Sequence, residues 1–402
     1  MRETWTFNSA GQIVFGPGAV RQLGDIAKRL GLKRILIVTD AHLIEAGIFD
    51  EVKSPLDELA TLDVFAGGEP EPSLRVAELC VAHARDFAPD GLIGLGGGSN
   101  MDLAKIAATV LAHGGQPRDY LGEDKVPGPI LPLICVPTTS GTGSEVSAAA
   151  VFTDEANHIK AGAITNYFRP KVAVVDPRLT LSCPRKVTAD SGIDAMTHAI
   201  EAYTAVDNAA FPLPPGEVSL FQGRHPLGNC LAENAISLIG KNLARAVEHP
   251  DDLAAREAMS LGATLAGLAF SNVGVALVHA LEYPIGAATH CTHGAGNGML
   301  LPHVMRYNLS ARQREFARIA ELLGVGTKGG TRTEREMAVQ AVSAIENLNR
   351  QIGVPARLRD VGAKREQIPE FAEKALSISR IIRVNPRVPK LPEVVELLNE
   401  AY

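Results

Sequence analysis

Residues 91–105, GLIGLGGGSNMDLAK, decide the fold, because a short apolar run there meets three consecutive glycines and a helical pattern follows. An apolar run of this length that ends in turn residues is typical of a buried strand. Gly97 and Gly98 have no Cβ, so a ligand can approach the backbone closely. A helix that begins at Ser99 would point its unpaired N–H groups at the same place, which favours binding of a diphosphate.

The spacing of these glycines is not the GxGxxG of the common dinucleotide fingerprint. A tight turn in which Ser99 is an ordinary helix cap is therefore the alternative. A second feature favours a cofactor site, since Asp40 ends the strand-like run ILIVTD. A carboxylate there can accept hydrogen bonds from ribose hydroxyls and repel a 2′-phosphate, which predicts NAD rather than NADP. Aspartate at this place is also a common helix cap.

Residues 137–145, PTTSGTGSE, extend the predicted cofactor site. They follow a buried strand, and the hydroxyls of Thr138, Thr139 and Thr142 suit ribose or phosphate. Ligands of α/β folds bind at the carboxyl ends of such strands, so this position favours a functional loop. By contrast, Gly16-Pro-Gly18 is interpreted as a structural turn, because no hydroxyl or acidic partner is near it in the sequence.

Apolar runs of the strand type recur through the first half of the chain and alternate with helical patterns, at residues 34–39, 91–95, 131–136 and 172–175. This alternation predicts βαβ units and a parallel sheet. Beyond Cys183 helical patterns follow one another without strands.

The length of 402 residues is typical of two domains. We therefore predict an α/β, Rossmann-like dinucleotide-binding domain over residues 1–183. An all-helical metal- and substrate-binding domain is predicted over residues 184–402. Within it, the irregular stretch 211–229 predicts a long loop or insertion.

The composition narrows the class of protein. A net charge of −6 and only 5% aromatic residues argue against a nucleic-acid partner. Five cysteines without a CxxC pair and no secretory pattern predict a cytoplasmic protein. The uncharged stretch 258–281 is long enough to span a bilayer but has no cluster of Lys/Arg at either end, so we interpret it as a buried helix and expect no membrane association.

The stretch GIDAMTHAIEAY, residues 192–203, predicts one half of a metal site. Asp194 and His198 are four residues apart on a helical pattern, so both side chains lie on one face. A hydrogen-bonded surface pair is the alternative. Glu201 lies on nearly the same face and is expected to hold a ligating imidazole from behind.

The segment HALEYPIGAATHCTHG, which begins at His279, predicts the other half. A continuous helix would separate His279 and His293 by about 21 Å, too far to share one ion. Pro284 and Gly286 are expected to break the helix and to let both imidazoles reach one point. Three histidines and one carboxylate suit Fe²⁺, Zn²⁺, Mn²⁺ or Co²⁺. Local binding by His290 and His293 is the alternative.

Together these motifs resemble the iron-containing (group III) alcohol dehydrogenase family nearly from end to end. The resembling stretches are VFGPGAV at 14–20, IVTD at 37–40, GGGSNMDLAK at 96–105, PTTSGTGSEVS at 137–147, DPRLTLSCP at 176–184, GIDAMTHAIEAY at 192–203, HALEYPIGAATHCTHGAGNGMLLPHV at 279–304 and NPR at 385–387. The resemblance implies the two-domain architecture shared with dehydroquinate synthase. It also implies a metal-dependent oxidoreductase that transfers a hydride between NAD(H) and a small primary alcohol or aldehyde.

The resemblance further implies roles for individual residues. The metal would be Fe²⁺, with Zn²⁺ or another divalent ion as alternatives, and its ligands would be Asp194, His198, His279 and His293. Lys160 would lie along the cofactor and Leu179 near its nicotinamide side. The other residues expected at the cofactor are Asp40, Gly97, Gly98, Ser99, Asp102, Thr138, Thr139 and Thr142. We expect a homodimer or a higher homo-oligomer.

Two features depart from the family pattern. Many members have a second histidine four residues after the first of the paired ligands, near the reacting carbon, where this chain has Tyr283, whose phenol can relay a proton. The 211–229 stretch is similar to the insertion of hydroxyacid–oxoacid transhydrogenases, which also have Tyr-Pro here. A transhydrogenase or a semialdehyde reductase is therefore the alternative function. A lyase of dehydroquinate synthase type and a non-catalytic metal-binding or filament-forming subunit are less favoured.

Overall fold

The computed structural model describes residues 3–155, 159–214, 216–217, 219–326 and 332–402. These residues form two compact units. The first comprises residues 8–183, and the second comprises residues 184–402 together with residues 3–7.

Residues 3–7 belong to the second unit, although the sequence prediction placed them in the first domain. The Trp5 ring stacks on His225, with the ring centroids 4.4 Å apart. The main-chain N–H of Thr6 donates to Oε1 of Gln222 at 2.9 Å. These partners are more than 200 residues away in the sequence, so local patterns could not indicate them.

The first unit is an α/β unit. Its strands are β1 (Gln12–Phe15), β2 (Arg34–Val38), β3 (Thr61–Phe65), β4 (Gly91–Gly96), β5 (Gly122–Glu123), β6 (Leu133–Pro137), β7 (Ala149–Asp154), β8 (Ile159–Ile164) and β9 (Val172–Val175). Its helices are α1 (Leu23–Leu30), α2 (Ala41–Glu45), α3 (Ile48–Lys53), α4 (Leu74–Phe87) and α5 (Gly98–His113).

In the described part of the chain, six strands form a parallel sheet in the order β1-β9-β6-β4-β2-β3. Every residue of the central strands β4 and β6 is buried, because apolar clusters cover both faces of the sheet. The four strands predicted from apolar runs are confirmed as β2, β4, β6 and β9. The strand β3 was missed, because an edge strand is only partly buried and its sequence TLDVF is correspondingly mixed.

A smaller sheet of β5, β8 and β7 was also missed. Its strands β7 and β8 pair antiparallel, and β7 is buried only at every second residue. Such half-buried strands have no continuous apolar run, which was the signal that predicted the others.

A buried ionic network connects α5 to the segment after β6. The Nζ atom of Lys105, whose side chain is fully buried, lies 2.6 Å from Oγ of Ser144 and 2.7 Å from the carbonyl oxygen of Ala149. The Oδ1 atom of Asp102 lies 3.5 Å from the same Nζ. Burial raises the pKa of the Asp102 carboxyl, although Lys105 and hydrogen bonds from Ser144 and Val151 oppose the rise.

Replacing Lys105 with Met is expected to lower the free energy of unfolding by about 3–5 kcal/mol, because it leaves the Asp102 carboxyl buried without its cationic partner. Denaturant unfolding monitored by circular dichroism measures the loss. A double variant that also carries Asp102→Asn removes the uncompensated charge and should be more stable than Lys105→Met alone. Equal stability of the two variants would show that the unpaired charge of Asp102 does not cause the loss of stability.

The second unit is helical over the residues described. Its helices are α6 (Arg185–Thr204), α7 (Pro226–Glu248), α8 (Leu253–Val273), α9 (Leu277–Thr289), α10 (His293–Asn308), α11 (Gln313–Leu322), α12 (Glu334–Ile352), α13 (Ile368–Ser377), α14 (Ser379–Ile382) and α15 (Leu391–Glu400). The predicted order of a parallel α/β domain followed by a helical domain is confirmed.

Two predictions for this unit need correction. Helix α7 begins at Pro226, so the predicted loop 211–229 is too long at its end, and residues 215 and 218 within it lie outside the described residues. The stretch 258–281 was interpreted as one helix, but it is split between α8 and α9. Gly274 lies at the break with a φ of +118°, a conformation that residues with a Cβ rarely adopt.

Among the residues described, no single helix is long and apolar enough to cross a membrane. Helices α8 and α9 meet that criterion only when taken together, and their axes are bent by 103° at the break.

Candidate functional site

The predicted cofactor residues converge at the carboxyl ends of β4 and β6. These strands are paired in parallel, with Gly96 opposite Pro137, so the glycine turn and the 137–145 loop begin side by side. A Cβ placed on Gly98 would lie 2.8 Å from Cγ2 of Thr142. The loop therefore packs directly against the first turn of α5.

Helix α5 begins at Gly98, and its N-cap is Gly97, which supplies no side-chain cap. The alternative in which Ser99 caps the helix is therefore wrong. The Ser99 hydroxyl instead accepts a hydrogen bond from the N–H of Glu71 at 3.2 Å. The first-turn N–H groups of a helix have no partner within it, so this turn offers donors to an anion.

Gly97 is a glycine that the packing of the turn does not explain. Its φ of −72° is accessible to any residue. A Cβ added there would meet Thr139 at 3.6 Å and 3.7 Å, which is ordinary van der Waals contact. The packing of the protein therefore does not require glycine at this position, whereas close approach of a phosphate would.

Asp40 ends the loop after β2 and caps α2. Its Oδ1 accepts from the N–H of Leu43 at 3.1 Å, and its Oδ2 accepts from the side-chain amide of Asn100 at 2.8 Å. The helix-cap alternative is thus confirmed, and the contact with Asn100 places the carboxylate against the first turn of α5. Its predicted contact with ribose stays a prediction.

Three further predicted cofactor residues are less accessible. Thr138 is buried and its N–H donates to the carbonyl of Gly96 at 3.0 Å. Asp102 belongs to the Lys105 network described above. Leu179 is 1% exposed and packs in the apolar core, so core packing is the simpler role for its side chain.

Lys160 lies in β8, and its Nζ is 3.2 Å from Oε1 of Glu71. Since the N–H of Glu71 donates to Ser99, this ion pair brings Lys160 to the neighbourhood of the glycine turn. Residues 156–158, which precede β8 in the sequence, lie outside the described residues.

The turn at Gly16-Pro-Gly18 has an acidic partner, contrary to the sequence interpretation. The carboxylate of Asp176 accepts hydrogen bonds from the N–H groups of Gly18 at 2.9 Å and Val20 at 3.3 Å. Asp176 is 158 residues away from Gly18, so its contribution could not be seen locally. The turn nonetheless has the structural role that was predicted.

The second unit gathers the predicted metal ligands. One ligand atom each from Asp194, His198 and His279 lies within 4.8 Å of the others, and all three residues are buried. The Nε2 atoms of His279 and His293 both lie 3.8 Å from Oδ1 of Asp194. Helix α6 supplies Asp194 and His198 from successive turns, as their spacing predicted.

The route by which His279 and His293 meet differs from the prediction. Helix α9 continues through Pro284 and Gly286 and ends at Thr289, and its C-cap His290 adopts a left-handed φ of 56°. Helix α10 begins at His293, so the reversal lies in residues 290–292. The exposed His290 is not in the cluster, and its alternative role as a local ligand with His293 is not supported.

Carboxylates lie behind two of the imidazoles. The Nδ1 atom of His279 is 2.6 Å from Oε2 of Glu201, which confirms that Glu201 holds an imidazole. Glu201 also accepts hydrogen bonds from the N–H groups of Ala276 and Val278 at the start of α9. The Nδ1 atom of His293 is hydrogen-bonded to Oε2 of Glu282.

Sequence reasoning missed Asn297 and Glu282. The side-chain nitrogen of Asn297 donates to Oδ1 of Asp194 at 2.8 Å and lies 3.2 Å and 3.1 Å from Nε2 of His279 and His293. A local signal existed, because Asn297 is four residues after His293 and Glu282 is three after His279, so each shares a helix face with a predicted ligand.

Asp194 supplies the negative charge of the cluster. Burial opposes ionisation of Asp194, but the imidazoles of His198, His293 and His279 and the amide of Asn297 outweigh it and hold the pKa of this carboxyl below its ordinary value. A buried carboxylate with three imidazoles is a donor set that suits Fe²⁺ or Zn²⁺. The residues present therefore fit a divalent metal ion.

Tyr283 lies one turn after His279 on α9 and is partly exposed. Its ring centroid is 6.0 Å from that of His293. The His198 ring stacks on Phe270 and on His279, with centroids 4.2 Å and 4.7 Å away. The cluster thus contacts an apolar ring through His198 and lies near a phenol through His293.

A glycine turn suited to phosphate in a parallel α/β unit, and a largely buried three-histidine, one-carboxylate cluster in a helical unit, indicate the class of enzymes that use a nucleotide cofactor and a metal ion. Comparison with known proteins agrees. The family model described as iron-containing alcohol dehydrogenase matches residues 10–177, and the C-terminal model of the Fe-containing alcohol dehydrogenase family matches residues 220–402. The chain belongs to the iron-containing alcohol dehydrogenase family.

Individual relatives cover nearly the whole chain. It is 40% identical to long-chain-alcohol dehydrogenase 1 of Geobacillus thermodenitrificans (strain NG80-2), over 98% of this chain and 97% of that protein. It is 36% identical to the NAD-dependent methanol dehydrogenase of Bacillus methanolicus, over 96% and 97%. A solved structure of a 1,3-propanediol oxidoreductase superposes with a TM-score of 0.92 at 33% identity and covers 100% of both chains.

Proposed function

We propose that this protein catalyses reversible, NAD(H)-linked interconversion of a small primary alcohol and its aldehyde. The observation that carries the proposal is the cluster of Asp194, His198 and His279, which are buried, with the partly exposed His293. Its donor set suits a divalent ion, with Fe²⁺ expected and Zn²⁺ as the alternative. The glycine turn at Gly97 supports a cofactor with a diphosphate, and Asp40 favours NAD over NADP.

The chemistry divides between the bound groups and the chain. A divalent ion held by the cluster would act as a Lewis acid on the substrate oxygen, and NAD would carry the hydride. Asp194 would contribute the negative charge that retains the cation, and the stacked ring of Phe270 shields the buried His198 imidazole from water. Tyr283, partly exposed beside His293, holds a phenol that can pass a proton to or from solvent.

The substrate class is proposed from the relatives. Their names specify long-chain alcohols, methanol and 1,3-propanediol, which all present a primary hydroxyl. We therefore propose a primary alcohol rather than a secondary one for this chain. Sulfoacetaldehyde and lactaldehyde reductases among the relatives keep substituted aldehydes within the range to be tested.

The test is metal analysis of the purified protein combined with an NADH-linked screen of aldehydes, semialdehydes and 2-oxoacids. We expect one divalent ion per chain, NADH oxidation with an unbranched aldehyde and a lower kcat/KM with NADPH. A strict need for a second carbonyl substrate, without net release of oxidised cofactor, would identify a transhydrogenase instead. Protein that is active after complete removal of metal would contradict the proposal.

Replacing Gly97 with Ala is expected to raise the KM for NADH about tenfold and to leave the melting temperature within about 1 °C of wild type. The added methyl meets only ordinary contacts in the protein, so it should cost stability little, while it occupies the space that a phosphate would enter. Steady-state kinetics and calorimetry provide the two measurements. An unchanged KM would show that no phosphate approaches this turn.

A further inference from the structure

Glu282 is a buried acidic residue that contacts a histidine of the metal cluster. Its side chain is fully buried on α9, and carboxylates are almost never fully buried unless they are paired. It faces Nδ1 of His293, which is the most exposed member of the metal cluster, with 28% of its side chain accessible. His293 therefore has less surrounding packing to orient its ring than Asp194 or His279.

The pairing with Glu282 matches the pairing of His279 with Glu201. In each case a carboxylate oxygen meets Nδ1, and in each case Nε2 lies 3.8 Å from Oδ1 of Asp194. A neutral imidazole that donates its Nδ1–H to a carboxylate has its lone pair on Nε2. The two glutamates thus leave the lone pairs on the Nε2 atoms, which both lie beside Asp194 and the amide of Asn297.

The backbone of α10 keeps Glu282 in place. A Cβ on Gly296 would lie 2.9 Å from Cγ and 3.4 Å from Oε1 of Glu282, so the helix passes directly over this side chain. His293 begins the same helix three residues earlier. Because residue 296 is a glycine, α10, which supplies His293, can pack closely against Glu282.

We propose that Glu282 is a positioning residue for the metal centre. Its carboxylate accepts the Nδ1–H of His293 and presents Nε2 to the cation, so that the fourth ligand is oriented before metal binds. The proposal rests on the proposed function, since it assumes that the cluster binds a divalent ion. Loss of such a supporting carboxylate typically weakens metal binding about 10–100-fold.

The experiment measures the Zn²⁺ dissociation constant of the full-length protein by competition with a chromophoric chelator. We expect Glu282→Leu to bind Zn²⁺ about 10–100-fold more weakly than wild type. Glu282→Gln, which keeps an acceptor oxygen, should fall between the two. The matched control is Glu233→Gln, since Glu233 pairs with Tyr203 rather than with the cluster, and its dissociation constant should equal that of wild type.

A second variant and a second readout exclude a role in packing alone. Gly296→Ala pushes on Glu282 without removing it and should weaken Zn²⁺ binding in the same direction. A purely structural role would lower the melting temperature of the metal-free variants and leave the Zn²⁺ dissociation constant of the folded protein unchanged, which would overturn the proposal. Wild-type protein that binds no divalent ion would overturn the proposed function itself.

Discussion

Replacing His279 with Ala is expected to remove the bound metal and to reduce kcat/KM with the best aldehyde at least about 10³-fold. The imidazole is one of three groups whose ligand atoms lie within 4.8 Å of one another, so its loss opens the centre of the site. A Lewis acid contributes several kcal/mol of charge stabilisation to such reactions, and about 4 kcal/mol corresponds to about 10³-fold in rate. Elemental analysis and NADH-linked kinetics on the same preparation measure both losses.

The fold should survive this substitution. Glu201, which meets the imidazole, also accepts hydrogen bonds from the N–H groups of Ala276 at 2.9 Å and Val278 at 2.7 Å, so its carboxylate keeps partners in the variant. His290→Asn is the matched control, because His290 is exposed outside the cluster and asparagine tolerates its left-handed φ of 56°. The control should keep metal and activity. Metal-free His279→Ala with full turnover would contradict the assignment.

The parts of the fold that could be predicted are those in which burial of a strand or helix produces a recognisable order of apolar residues in the sequence. The strands β4 and β6 are buried on both faces and form unbroken apolar runs in the sequence, whereas β3 and β7 are partly exposed and were missed. Asp194 and His198 were predicted as a pair because residues four apart in a helix lie on the same face, about one turn apart.

The rest of the candidate site depends on contacts that sequence spacing does not encode. Helix α9 accommodates Pro284 and ends only at Thr289. Its C-cap His290 is left-handed, and because it is not a glycine the sequence did not predict a helix end there. Glu282 contacts His293 only because α9 packs against α10, and Asn297 reaches Asp194 of α6 and His279 of α9 in the same way. The sequence therefore predicted the four ligands and Glu201, but not Asn297 or Glu282.

Replacing Gly294 with Ala is expected to weaken metal binding more than about 100-fold, although Gly294 offers no ligand. An added Cβ would lie 2.0 Å from the carbonyl oxygen and 2.6 Å from the carbonyl carbon of Asp190. Both atoms belong to the backbone of α6, so the clash can be relieved only by moving the start of α10 away from that helix. This movement carries His293 and Asn297 away from Asp194, although both lie close to its Oδ1 atom in the wild-type protein.

Gly298→Ala provides the comparison that isolates this effect. Gly298 lies on the same helix, one turn further on, and a Cβ there would meet side-chain atoms of Ile193 at 2.8 Å and 2.9 Å rather than backbone. Overpacking of this kind costs about 1–3 kcal/mol, so Gly298→Ala should lower the melting temperature and retain its metal affinity. Gly294→Ala should lose affinity beyond any loss of stability. The opposite order of affinities would show that the distance between α6 and α10 does not set the geometry of the cluster.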